Sequence, residues 1–245
     1  MRLVAERPGA IRFRSYRDGQ LLSDLDVEAS GEVKYGYPYL HVHRADYHEV
    51  LAQEVELLGG IVQLNSEVTG IDFETPAVHI KNLPSVRADV IIGADGLKSV
   101  CRGALKGHDD PPIPSGDMAF RFVIKTDDLR EYPTPDKLAS ASGMNYWIGP
   151  RAHAVTYKLR GDDLLNVVVA CPDTLPDDTN VAMATSQEIN DTLKGWDPTL
   201  HTLVELTKDA SKWRLQTSHE LDMWTHSSGK FTLLGDACHA TLLYL

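Results

Sequence analysis

Two short apolar runs that end in glycine and aspartate constrain this chain more than anything else in it. Ala88-Asp89-Val90-Ile91-Ile92 leads into Gly93-Ala94-Asp95-Gly96, and Lys230 to Leu234 leads into Gly235-Asp236-Ala237-Cys238-His239. A β-branched run that stops at glycine reads as a buried strand entering a tight turn. In open α/β sheets, ligands bind beyond the carboxyl ends of the strands, which is where these turns fall. Glycine lets a ligand approach the backbone. Aspartate accepts hydrogen bonds from sugar hydroxyls. A helix that starts after the turn offers N–H groups to phosphate. Asp-Gly is also an ordinary turn pair, so each segment taken alone reads first as a plain strand ending.

The rest of the chain supplies a setting for these turns. Arg12 to Tyr16 alternates like a strand, and Asp18-Gly19 is a turn signal for a hairpin. Arg44 to Leu58 reads as a helix with Val50, Leu51, Val55, Leu57 and Leu58 as its apolar stripe, stopped by Gly59-Gly60. Ile61 to Leu64 and Val68 to Phe73 read as strands, and Leu97 to Leu105 as a short helix. Asp109 to Ser115 is proline-rich and reads as a boundary. Beyond it, strands are expected at Ala119 to Lys125, Asn145 to Ile148, Ala154 to Leu159 and Leu164 to Ala170. Helices are expected at Thr185 to Leu193 and Pro198 to Leu206, and late strands at Trp213 to Ser218 and Lys230 to Leu234. The expected class is mixed α/β. Residues 1–108 read as part of an α/β layer, 109–221 as a mixed β-sheet domain, and 222–245 as a return to the first layer.

Composition narrows the partners. Apolar residues make up 42% and charged residues 24%, which suits a globular chain with a core. The net charge of −11, from 24 basic and 35 acidic residues, argues against binding a nucleic-acid backbone. Cys101, Cys171 and Cys238 are odd in number, widely spaced and lack a CxxC pair. That pattern speaks against a disulfide framework and against a zinc site, and for a reducing compartment. No stretch approaches the ~18 apolar residues of a membrane span. The first seven residues carry no long apolar run, so no signal peptide is expected and cytoplasm is the expected location.

Ala88 to Arg102 resembles the DG motif of the class A flavoprotein monooxygenases, and Leu233 to His239 resembles their GD motif. His43-Arg44-Ala45-Asp46-Tyr47, with the helix and Gly59-Gly60 after it, is similar to their arginine segment. Asn145 to Pro150 and Gly195 to Pro198 resemble the salicylate-hydroxylase-like branch, whose fold is that of p-hydroxybenzoate hydroxylase. The resemblance covers nearly the whole chain. It implies FAD lying between a Rossmann-type layer and a substrate sheet, with NAD(P)H as electron donor. Reduced flavin then activates O₂ for hydroxylation of a small aromatic or polyketide-type substrate. The resemblance also implies that Arg44 contacts FAD phosphates or ribose, that Asp95 sits near the pyrophosphate, and that Gly235 and Asp236 hold the ribityl chain. Flavin chemistry belongs to the cofactor, and the protein places it. Plainer readings stand beside these. Arg44 can be a helix-start residue in a surface ion pair, His239 a packing or capping residue, Cys238 a small buried hydrophobe, and the four tryptophans core.

The family opens with a strand, a GxGxxG turn and a helix that receive the ADP part of FAD, and no GxGxxG occurs here. Relative to the family the chain reads as truncated at both ends, since the segment after Ala240 lacks the expected prolines and long helix. The expectation is therefore weak or absent FAD binding by this chain, with exposed strand edges where the first strand would pair. Two substrate-orienting residues are expected on the sheet. Arg121 in Ala119-Phe120-Arg121-Phe122-Val123 suits a carboxylate or phenolate, and Tyr157 suits a ring hydroxyl. The plainer reading is an outward arginine and a core tyrosine. The activity expected from the family is FAD-dependent hydroxylation. The alternative is a non-redox enzyme or ligand-binding protein on the same fold without tight FAD binding.

Overall fold

A computed structural model describes residues 5–160 and 163–242, with the side chains of residues 29 and 30 left aside. Residues 1–4 of the opening segment and 243–245 of the closing one lie outside the described residues. Two compact units emerge: the chain up to Gly60 together with Gly116–Arg214, and Ile61–Ser115 together with Leu215 to the end. The crossing at 115/116 falls at the end of the proline-rich stretch Asp109 to Ser115. The first 60 residues belong with the large sheet and not with residues 61–108.

The first unit is built on an eight-stranded mixed sheet. Its strands are β2 (Ala10–Ser15), β3 (Leu21–Asp26), β9 (Ile113–Lys125), β10 (Met144–Gly149), β11 (Ala152–Leu159), β12 (Leu164–Pro172), β13 (Val181–Ala184) and β14 (Ala210–Thr217), in the order β13-β14-β9-β12-β11-β10-β2-β3. The Asp18-Gly19 turn closes the β2–β3 hairpin, with Gly19 at φ +68. A Cβ on Gly19 would come within 2.1 Å of the Asp197 carboxylate, so this turn is closed to larger residues. Also in this unit are β1 (Ala5–Glu6), which pairs with β4 (His41–Val42), and the helices α1 (Glu28–Tyr35), α2 (Arg44–Leu57), α4 (Pro133–Ser140), α5 (Ser186–Thr192) and α6 (Pro198–Glu205).

Alternation along the strands sends two sets of side chains to two faces. Met118, Phe120, Phe122 and Ile124 of β9 join Leu165, Val167 and Val169 of β12, Ala154 of β11 and Trp147 of β10 on one face. Ile189 and Leu193 at α5, and Leu200, Leu203 and Val204 of α6, cover that face. Trp147 is fully buried and donates its indole Nε1–H to Asp197 at 2.8 Å, so its polar end is satisfied. Asp197 also accepts from the Thr199 amide at 2.9 Å and starts α6, with Pro198 in its first turn. Thr185 and Glu188 make a reciprocal capping box at the start of α5.

The second unit holds β5 (Val68–Asp72), β6 (Ala77–Ile80) and β7 (Val86–Arg87) in one antiparallel sheet. It also holds β8 (Ile91–Gly93) paired in parallel with β15 (Phe231–Leu233), the helix α3 (Val100–Lys106) and the single turn α7 (Asp236–His239). Ile91, Cys101, Phe231, Leu233, Ala237 and Cys238 form its small core.

Four expectations are corrected. Ile61 to Leu64 forms no strand and is exposed, with Ile61 91% accessible. An apolar run becomes a strand only where a neighbour completes its ladder. The strand before Asp95 is shorter than Ala88 to Ile92 implies, because only Ile91–Gly93 pairs with β15. The helix α2 forms where expected and Gly59 ends it at φ +84, yet no residue of α2 is buried, so its apolar stripe faces outward. Trp147 and Trp196 are core, but Trp213 and Trp224 are 45% and 47% exposed. Among the elements that carry no clear sequence signal are α1, α4, β6, β7 and β13.

Candidate functional site

Parallel pairing of β8 with β15 brings the two glycine-aspartate turns together within the second unit. Ile91 faces Phe231 and Gly93 faces Leu233, so Ala94-Asp95-Gly96 and Gly235-Asp236 leave the same end of two adjacent strands. Gly93 makes this spacing possible. A Cβ there would lie 2.8 Å from Cys101 Cβ, 3.0 Å from Leu233 and 3.1 Å from Phe231.

Arg102 fastens the two motifs to each other. It is fully buried and pairs with Asp110 at 2.8 Å. It also donates to the backbone carbonyls of Leu97 at 2.8 Å, Asp110 at 3.0 Å and Ala237 at 3.0 Å. The guanidinium fork thus joins the loop after Asp95 to the turn after Asp236. Burial pushes the Asp110 carboxyl up, but its bonds from Lys106 and Arg102 outweigh that and hold it below the ordinary carboxylate range.

The two aspartates differ in what they do. Asp95 accepts from the Ser99 hydroxyl at 2.5 Å and from the Cys101 amide at 3.0 Å, and Ser99 in turn caps α3 through the Arg102 amide at 2.8 Å. Burial pushes the Asp95 carboxyl up, while the Ser99 and Cys101 bonds outweigh it and leave the group below its ordinary value. Burial and the neighbouring Asp95 charge push the Cys101 thiol up to about 12, so it is an inert packing group. Asp236 is exposed and opens α7 after Gly235, which sits at φ +62 with open space where a Cβ would project. Cys238 is buried against Ala237, as a small hydrophobe would be, and its thiol meets the Gly235 carbonyl. His239 stacks on Trp224 with centroids 5.1 Å apart, a packing role. A cleft of about 1270 Å³ runs beside β8, lined by Ile91, Ile92, Asp95, Lys98, Ser99 and His108 among others.

In the first unit, Arg44 is the exposed first residue of α2, and no ion pair of its guanidinium is present among the described residues. The surface ion pair of that helix start belongs instead to Asp46, which Arg160 grips at 3.0 and 2.8 Å. Arg121 and Tyr157 lie on the sheet face opposite the helix-covered core. Register places Val123, Asn166 and Tyr157 in one row across β9, β12 and β11, and Arg121, Val168 and Val155 in the next. Burial pushes the Tyr157 phenol up and the nearby Arg121 cation draws it back, which leaves it above its ordinary value. The Tyr157 ring packs at 4.8 Å against His41, a buried residue that the sequence reading passed over. Only its position two residues before His43-Arg44, on the same side of an extended segment, could have drawn attention to it.

For a flavin dinucleotide, the donor set fits in part. Within the second unit, Asp236 with the open backbone at Gly235 suits ribityl hydroxyls; taken by itself in the first unit, Arg44 suits a phosphate. Asp95 is already engaged in its own turn. Among the described residues, no strand–GxGxxG–helix unit is present for the adenosine end. Nor is there, among them, a cluster of His, Cys, Asp or Glu suited to a metal.

No protein-family profile matches the chain. It is 35% identical to the FAD-dependent monooxygenase OpS4 of Beauveria bassiana over its full length, covering 58% of that protein. It is 29% identical to the 3-hydroxybenzoate 6-hydroxylase of Polaromonas naphthalenivorans over 93% of the chain and 55% of that enzyme. Its structure matches a salicylate hydroxylase substrate complex with a TM-score of 0.78 at 25% identity, over 98% of this chain and 61% of that one. The fold is also that of HpxO of Klebsiella pneumoniae, solved with FAD and uric acid, with a TM-score of 0.80 at 18% identity over 99% and 59% of the two chains. The chain thus spans a little over half the length of the proteins it matches.

Proposed function

We propose, from the premise that this chain is a partial-length relative of the FAD-dependent aromatic monooxygenases, that it carries the ribityl side of a flavin site and the substrate sheet of an aromatic hydroxylase. The observation that carries this reading is the pairing of β8 with β15, which sets the Asp95 and Asp236 turns side by side. Asp236 holds ribityl hydroxyls, Gly235 allows their close approach, and Arg44 meets a phosphate. Asp95 acts by shaping its own turn, because Ser99 and Cys101 already occupy its oxygens. When bound and reduced by NAD(P)H, the flavin supplies the oxygen-activating chemistry. Arg121 attracts the carboxylate or phenolate of the aromatic substrate, and Tyr157 orients a ring hydroxyl. What supports these roles is their shared face, free of the helices that cover the other side. Among the described residues no helix is long and apolar enough to cross a membrane. Cytoplasm is the compartment we propose, on the three buried free thiols.

Flavin fluorescence quenching tests the reading. FAD should bind weakly, since no glycine-rich phosphate turn is present among the described residues, and Asp236→Ala should weaken binding by about a further tenfold, the worth of one charge-assisted hydrogen bond. Unchanged affinity in that variant would sink the ribityl assignment. A second reading, a ligand-binding protein without flavin, is favoured by Asp95, whose oxygens Ser99 and Cys101 already occupy. Benzoate binding that depends on Arg121, with no FAD binding at any concentration, would establish it.

A further inference from the structure

His41 is 9% exposed, and its Nε2 is one of the buried side-chain atoms without a hydrogen-bond partner among the described residues, as are His43 Nδ1 and Asn166 Nδ2. Burial also keeps the ring neutral, with its pKa pushed down to about 4. A buried polar atom without a partner is a cost that native folds rarely carry without a use. The ring lies between two phenols. Tyr157 packs at 4.8 Å from β11, inside the sheet. Tyr39 packs edge-on at 5.3 Å from the loop before β4 and is 44% exposed. The Tyr39 hydroxyl reaches only the Met144 thioether, at 3.8 Å, and a thioether is a weak acceptor. Tyr39 is therefore a loosely held cover whose hydroxyl leaves Nε2 unpaired.

We propose that Tyr39 is a built-in stand-in for ligand, and that a phenolic aromatic compound takes its place edge-on against His41 with its hydroxyl paired to Nε2. A hydroxyl is the group that satisfies this nitrogen in either tautomer, because it both donates and accepts. A carboxylate would satisfy only the N–H form. An edge-to-face aromatic partner reproduces the contact that Tyr39 gives up. The inference rests on the proposed reading of this sheet face as the one that meets an aromatic substrate, and it names the residue that senses the hydroxyl.

The test uses phenol and benzoate as probes, with calorimetry for affinity and ¹⁵N shifts of labelled histidine for the site. Tyr39→Ala should bind phenol about tenfold more tightly than the parent chain, because no internal ring competes. Phenol should move the His41 Nε2 resonance, and Tyr39→Ala/His41→Phe should lose the gain while keeping an aromatic ring in the stack. Equal phenol affinity in Tyr39→Ala and the parent, or a gain that survives His41→Phe, overturns the proposal. Benzoate affinity unchanged by Arg121→Met defeats the reading of the face but leaves the phenol result standing. Absence of binding by either probe in every variant overturns both.

Discussion

The eight-stranded sheet buries one face under α5 and α6, whereas the β8–β15 pair has a handful of buried side chains and, among the described residues, one pairing. In the first unit, Phe120, Phe122, Trp147 and Leu203 are nearly inaccessible. In the second, Ile92 is 57% exposed in the middle of a strand. The large sheet owes its shape to apolar burial along alternating strands. The small one is held by a buried arginine, a tight glycine and two turns. The contrast teaches that the end of the small unit carrying the two aspartate turns is positioned by polar fastening and the sheet domain by packing.

Arg102→Met should give the largest effect. It leaves Asp110 buried without its arginine and breaks bonds to three carbonyls, a loss of about 3–5 kcal/mol. Hydrogen exchange should show faster exchange at β8 and β15 and unchanged protection in β11 and β12. A uniform loss across both would mean the two units open as one and would break the comparison.

The His41 effect is next in size. Its folded pKa of about 4 lies below the ordinary 6.5, so between these values the unfolded chain binds more protons. Stability from this residue is full above pH 6.5 and is lost as pH falls toward 4, by about 3 kcal/mol in all. Denaturant midpoints should fall on acidification in the parent chain and fall less in His41→Phe. Parallel curves would remove His41 from the account.

Asp95→Asn should cost about 1 kcal/mol, a figure held down by the partial exposure of the carboxylate. Urea melts of the second unit would report it. Asp236→Asn should change stability least, by less than about 0.5 kcal/mol, since among the described residues its carboxylate makes no hydrogen bond or ion pair. Its effect should fall on flavin affinity. If both substitutions cost the same stability, the division between a turn-building and a ligand-facing aspartate fails.

Much of this was legible in the sequence, for local reasons. Leu164 to Ala170 and Ala119 to Lys125 show their pairing in their own apolar patterns, and Thr185 with Glu188 announces a helix start. The helix α4 was hidden because Pro133 and Pro135 read as breakers, although proline suits a first helical turn. Ile61 to Leu64 misled because the run matches a strand and its ladder partner does not exist among the described residues. Arg44, Asp95 and Asp236 stood out through spaced motifs. His41 did not, because its meaning comes from Tyr39 and Tyr157, which only the folded loop and sheet bring to it.

Gly93 has a consequence for how this site can change over time. With Cys101, Leu233 and Phe231 all close to the place a Cβ would take, the position admits no graded series of substitutions. Sequence change around the two turns must therefore run through the loops beyond them. The gap between the two strands is a fixed gauge to which the variable parts are fitted.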